Sequence, residues 1–132
     1  MRCHRQRIGR LIPQMKKICI HQPDFAPYLG FFDRLFDCDV YIVFDDVQFL
    51  RRGWHHRDKI KTNEGPVWLT LPIKKADRSA LISEIELDPD MDSWIPKQFN
   101  LLHEGYKSSP YFDRYFPALK EIYQRGHRRL ID

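Results

Sequence analysis

Three stretches between residues 21 and 61 concentrate the side chains that can do chemistry. Residues 20–32 (IHQPDFAPYLGFF) put His21 at the end of an apolar run, then Pro23 and Pro27 in a stiff loop, then Gly30. Imidazole titrates near neutral pH, so His21 has the chemistry of a general base or donor. A stiff loop entering a helix presents unpaired backbone N–H groups to an anion or carbonyl, and Gly30 allows close approach. Residues 44–49 (FDDVQF) add two carboxylates and an amide. Successive extended side chains face opposite ways, so Asp45 and Asp46 are not expected to share a metal unless the chain turns there. Asp46 and Gln48 do share a face, which suits hydrogen bonding to a hydroxylated or amino-bearing substrate. Residues 51–61 (RRGWHHRDKIK) gather Arg52, His55, His56, Arg57, Lys59 and Lys61 around Trp54. In an extended chain Arg57, Lys59 and Lys61 project on one side and offer a cationic face to phosphate or carboxylate.

Several chemistries are excluded or disfavoured. No glycine-rich dinucleotide loop, Walker sequence or serine elbow is present, and no cofactor is expected. His55 and His56 are adjacent, so on a strand only one can reach a given metal, and no second pair stands at ligand spacing; no metal site is expected. Cys3, Cys19 and Cys38 fit neither a disulfide framework nor a zinc knuckle, which suggests a reducing, cytoplasmic setting with the cysteines as small buried hydrophobes. The layout of strand, loop and early histidine resembles that of HIGH-type nucleotidyltransferases, but their second histidine is missing because Phe31 follows Gly30. Non-covalent acid and base work remains the preferred chemistry.

The net charge of +4 sits in the first fourteen residues, where Arg2, Arg5, Arg7 and Arg10 face no acid. Residues 15–132 are therefore neutral overall, and the one-signed field that drives nucleic-acid binding is absent from them. Residues 1–14 have no helical or strand period and read as a disordered basic extension, with Met15 as the expected natural start. No run approaches the roughly 18 apolar residues of a membrane span. The expected partner is a small molecule, with no nucleic acid and no membrane; the oligomeric state is open.

These side chains need a scaffold, and hydrophobic content of 42% in 132 residues supports one domain. Residues 17–21 (KICIH) and 40–44 (VYIVF) are β-rich, and the segment between them carries Leu29, Phe32 and Phe36 at helical spacing. That order predicts a parallel βαβ unit, with His21 and Asp45–Asp46 at the strand ends where ligands bind in α/β sheets. Residues 63–66 (NEGP) signal a hairpin or tight connection between residues 54–61 and 67–73, and residues 82–87 (ISEIEL) read as another strand. A helix capped by Asp92 or Ser93 follows, with Ile95, Phe99, Leu102 and Tyr106 on one stripe. A second starts near Ser109 and Pro110 and carries Phe112, Phe116, Leu119 and Tyr123 until Gly126. The expected class is α/β: a small, mostly parallel sheet with a βαβ start, followed by an amphipathic helical pair. Leu130 and Ile131 look like the opening of a further element, which suggests that the natural polypeptide continues.

From about Lys17 onward the series HQP, GFF, FDDVQF, RRGW, Arg57 with the IK of Ile60 and Lys61, and WLTLPI resembles the WbqC-like family of bacterial proteins. The resemblance implies a domain over residues 15–132 that lacks a C-terminal part, because members usually run further. It implies lipopolysaccharide O-antigen or other surface-polysaccharide biosynthesis. The activity expected is transfer of an acyl or aminoacyl group to an amino sugar or related intermediate, with a nucleotide-linked sugar as the candidate substrate; the alternative is a non-catalytic binding or scaffold subunit. Carried over by motif, His21 and Asp46 are the catalytic candidates, and Gln22, Gly30, Gln48, Arg52, Trp54, Arg57 and Lys61 the substrate-binding ones. His55 and His56 depart from the family pattern.

Overall fold

The computed structural model describes residues 15–132, so the basic extension and Cys3 lie outside the described residues. Strand β1 (Ile18–His21) and strand β2 (Val40–Val43) pair in parallel, with Ile18 opposite Val40 and His21 opposite Val43. Helix α1 (Leu29–Phe36) crosses between them. It begins only after Pro27 and an extended Tyr28, because the two prolines hold the preceding loop out of helix. Its end is tied to the sheet: the Lys17 backbone N–H donates to Asp39 (2.8 Å) and its Nζ pairs with Asp37 (2.9 Å).

The covered face of α1 differs from expectation. Phe31, Leu35 and Cys38 are the partly buried residues, whereas Leu29 and Phe36 lie in solvent and Phe32 is exposed. Periodicity locates an apolar stripe but not which side is covered, and in a helix this rich in apolar residues two stripes compete. On the sheet, Cys19, His21 and Tyr41 face inward, while Ile18, Ile20, Val40 and Ile42 are exposed on the opposite side.

The second sheet corrects the mostly parallel expectation. Strand β3 (Arg57–Thr62) and strand β4 (Gly65–Thr70) form an antiparallel hairpin that does not join β1 and β2. Its two-residue turn, Asn63 and Glu64, closes on Gly65 at φ +118°, a conformation that side chains disfavour. The expected strand at residues 82–87 is instead a 3-10 turn over Ile82–Glu84, followed by short bridges. The Glu84 carboxylate accepts from the Leu81 backbone N–H (2.9 Å), and this local bond favours the turn over an extended run.

Helix α2 (Met91–Tyr106) starts one residue before the expected cap; the expected stripe of Ile95, Phe99, Leu102 and Tyr106 is buried or half-buried, and Trp94 and Gln98 widen the covered face. Helix α3 (Phe112–Tyr123) turns Phe112, Phe116, Leu119 and Tyr123 inward as expected, and the chain turns away at Gly126 (φ +75°). One core cluster joins Ile60 and Leu69 of the hairpin to Leu102 of α2; another joins Leu71, Leu87 and Trp94. A third surrounds Phe49, Ile82 and Ile85, and Leu130 and Ile131 pack on it. Phe25 packs against both of the first two clusters, which fixes the loop after β1 to the centre of the domain.

Candidate functional site

The residues 21–61 that sequence reasoning singled out fall into separate groups, and the loop after His21 is bonded to the segment before β3. Phe25 N–H donates to the Trp54 carbonyl (3.0 Å), and His55 Nδ1 lies 3.1 Å from the Pro23 carbonyl, so that nitrogen carries the proton. His55 and His56 are both buried and both pack on Phe49, at 5.9 and 5.2 Å between ring centroids. They serve as internal struts that hold residues 44–49 and 51–61 together. Burial, followed by the charges of Arg57, His55 and Arg51, lowers the His56 pKa.

His21 sits at the carboxyl end of β1, and its carbonyl accepts from Phe44 N–H (2.9 Å), which brings the residues after β2 beside it. Its Nδ1 is 2.6 Å from the Gln22 carbonyl and must donate there, so the neutral ring offers the Nε2 lone pair. Arg34 takes up that lone pair: its Nη2 lies 3.2 Å from Nε2. The same guanidinium donates to the Tyr28 hydroxyl (3.3 Å) and, through Nε, to the Gly30 carbonyl (3.3 Å). Of five guanidinium donors, the two on Nη1 have no partner among the described residues. Tyr28 folds back over Gly30, where an added Cβ would overlap the phenol ring.

Beneath this cluster lies an aromatic wedge. Phe31 meets His21 edge-on at 5.3 Å and Tyr41 at 5.8 Å. The Tyr41 hydroxyl is buried without a partner among the described residues. Burial raises its pKa first of all, with Cys19, Asp24 and Cys38 acting in the same sense and Arg34 opposing. Arg34, Tyr28 and Tyr41 thus belong to the cluster around His21 and Phe31, and sequence reasoning missed them. The i, i+4, i+7 spacing of Phe31, Leu35 and Cys38 was the available signal, since that stripe turns Arg34 toward the strand end.

The other candidates divide by position. Asp46 and Gln48 are exposed beyond β2, but the Gln48 amide is spent on the Arg78 carbonyl (2.6 Å), so the two do not act as a free pair. Arg57 and Lys59 do project on one side of β3. The Arg57 guanidinium carbon lies 4.4 Å and Lys59 Nζ 5.1 Å from the Trp68 ring centroid, and Trp54 stands 5.6 Å from Trp68. The Arg52 carbonyl accepts from Arg57 Nη2 (2.8 Å). Lys61 is exposed on the same strand face, and its backbone N–H donates to the Tyr106 hydroxyl (3.2 Å). No group of three or more metal-ligating side chains occurs among the described residues. No helix there is long and apolar enough to cross a membrane.

The chain is 32% identical over 110 residues to the uncharacterized protein Rv1507c of Mycobacterium tuberculosis (strain ATCC 25618 / H37Rv). That match covers 83% of this chain and 47% of the relative, so the chain spans about half the length of the curated relative it matches. No solved structure matches it. The model of the WbqC-like protein family matches residues 22–132, from the glutamine after His21 through the hairpin and both long helices, and the chain belongs to that family.

Proposed function

We propose that this domain carries the base-bearing part of a group transferase that moves an acyl or aminoacyl group onto an amino sugar, or a related amine, in surface-polysaccharide assembly. The observation that carries the reading is the placement of the His21 ring, with Nδ1 2.6 Å from the Gln22 carbonyl and Nε2 3.2 Å from an arginine whose Nη1 has no partner among the described residues. An anionic group on either substrate competes for Arg34, and drawing the guanidinium away frees Nε2. The lone pair then takes a proton from the acceptor amine as its nitrogen attacks the donor carbonyl. The new C–N bond replaces the bond to the leaving group, and His21 returns the proton to that group. The Gln22 carbonyl supports the transient imidazolium through Nδ1, and Gly30 leaves the room that Tyr28 needs to fold back beside Arg34. Asp46 orients the amine, with Gln48 bracing the segment that carries it. Arg52, Trp54, Arg57 and Lys61 hold the anionic part of the substrate.

Turnover by the full chain with nucleotide-linked amino sugars and activated acyl or aminoacyl donors tests the proposal. His21→Ala is expected to lower kcat by about 10²- to 10⁴-fold, the usual contribution of a positioned base. Absence of turnover by wild type with every donor, together with an unchanged cellular glycan in His21→Ala cells, would overturn it. The second reading, a non-catalytic ligand-binding subunit, draws on the same Arg34 contact, because Nε2 as it stands is already occupied. It expects ligand binding to survive joint replacement of His21 and Asp46, with no conversion at any stage.

A further inference from the structure

The hairpin face that carries Arg57 and Lys59 is built unlike an ordinary solvated surface. Trp68 is 42% exposed and lies opposite Lys59 in the strand register, while Trp54 is 51% exposed and tilted 38° to it. Two large rings kept half in water forgo the burial that normally fixes tryptophan in place. Arg57 is held against Trp68 and pinned to the Arg52 carbonyl, so little rotamer freedom remains to be lost on binding. Its Nε is buried and has no partner among the described residues.

We propose that Trp54, Trp68, Arg57 and Lys59 form a seat for a nucleoside diphosphate, with the base against the indoles and the diphosphate on the two cations. A bare sugar ring is the poorer fit. Its hydroxyls need acceptors beside the aromatic ring, whereas the charged residues on this face, Arg57, Lys59 and Lys61, are all cations, and Asp58 alternates to the other side of the strand. A long polyanion is disfavoured because residues 15–132 carry no net charge. The Trp54 carbonyl also anchors Phe25, so the seat adjoins the loop that leads to His21. The inference rests on the reading that residues 51–61 hold substrate, and it adds Trp68 and Lys59 to that role.

Tryptophan fluorescence reads the seat directly. The third tryptophan, Trp94, is only 9% exposed and packs in the core, so quenching by an added ligand reports Trp54 and Trp68. Uridine diphosphate and uridine diphosphate N-acetylglucosamine are expected to quench saturably. Uridine alone or inorganic pyrophosphate should bind at least about tenfold more weakly, since each lacks one half of the contact. Trp68→Leu should weaken uridine diphosphate by about five- to 150-fold. Lys59→Gln should weaken uridine diphosphate but not uridine, and it serves alone should Trp68→Leu fail to fold. The proposal falls if no saturable change appears, if pyrophosphate binds as well as uridine diphosphate, or if neither variant alters binding. It also falls if a twelve-residue oligothymidylate binds more tightly with a steep salt dependence. Because the assay needs no turnover and can be run on His21→Ala as on wild type, its failure is separable from failure of the transferase reading.

Discussion

His55 Nδ1 stands 3.1 Å from the carbonyl of Pro23, 32 positions earlier in the chain, and this contact joins the loop after β1 to the segment that begins the hairpin. His55 is buried, so its partner carbonyl loses its bond on substitution without ready compensation from water. His55→Leu is expected to cost about 1–3 kcal/mol in urea unfolding. It should also speed proteolysis within residues 22–27. Unchanged stability and cleavage would mean that Phe25 alone holds the loop.

How much of this was legible beforehand depended on whether the signal was local. The parallel pair and the hairpin were readable because VYIV is β-branched and aromatic, the prolines at 23 and 27 confine the loop, and Gly65 sits where the turn needs positive φ. The covered side of α1 was not readable, because Leu29, Phe32 and Phe36 form as good a stripe as Phe31, Leu35 and Cys38. That ambiguity hid Arg34, the residue that occupies His21. Residues 82–87 misled for a different reason: isoleucine content favours a strand, but a single carboxylate bond from Glu84 closes the turn. His55 and His56 looked like part of a polar site because their sequence neighbours are charged, and only tertiary packing against Phe49 reveals them as struts.

Gln98 is the buried polar link between α2, the end of β4 and α3. Its amide donates to the Thr70 carbonyl (2.7 Å) and its oxygen accepts from the Tyr123 hydroxyl (3.0 Å), while burial raises the Tyr123 pKa. Gln98→Leu strands both partners, so a loss of about 1–3 kcal/mol is expected. Tyr123→Phe should cost less, because Gln98 keeps its bond to Thr70. A double-mutant cycle should return a coupling of at least about 0.5 kcal/mol, and additivity would refute the link.

His56 predicts a pH dependence of stability. Burial lowers its native pKa below the ordinary 6.5, so the unfolded chain binds this proton more readily than the folded one. Its stabilising contribution is therefore complete above pH 6.5 and is lost as pH falls through the depressed native value. His56→Gln removes that titration. The stability advantage of wild type over the variant, followed by urea midpoints, should shrink steadily as the solution is acidified from neutrality. Parallel curves would show that His56 does not titrate in this way.

The Arg34 contact makes a prediction that needs no substrate. With Nδ1 committed to the Gln22 carbonyl and Nε2 facing the guanidinium, His21 is held as the Nδ1–H tautomer. Nitrogen chemical shifts of the neutral His21 ring should place its proton on Nδ1 and not on Nε2. Acylation of that nitrogen by diethyl pyrocarbonate, followed peptide by peptide, should be slow in wild type, because the lone pair is engaged. Arg34→Gln removes the cation and should accelerate modification of His21 severalfold while leaving the rate at exposed His103 unchanged. Added phosphate should move wild type part of the way toward the variant, since an anion competes for the same guanidinium. Equal rates in wild type and variant would mean that Arg34 does not govern access to Nε2, and the release step of the proposed transfer would have to be abandoned.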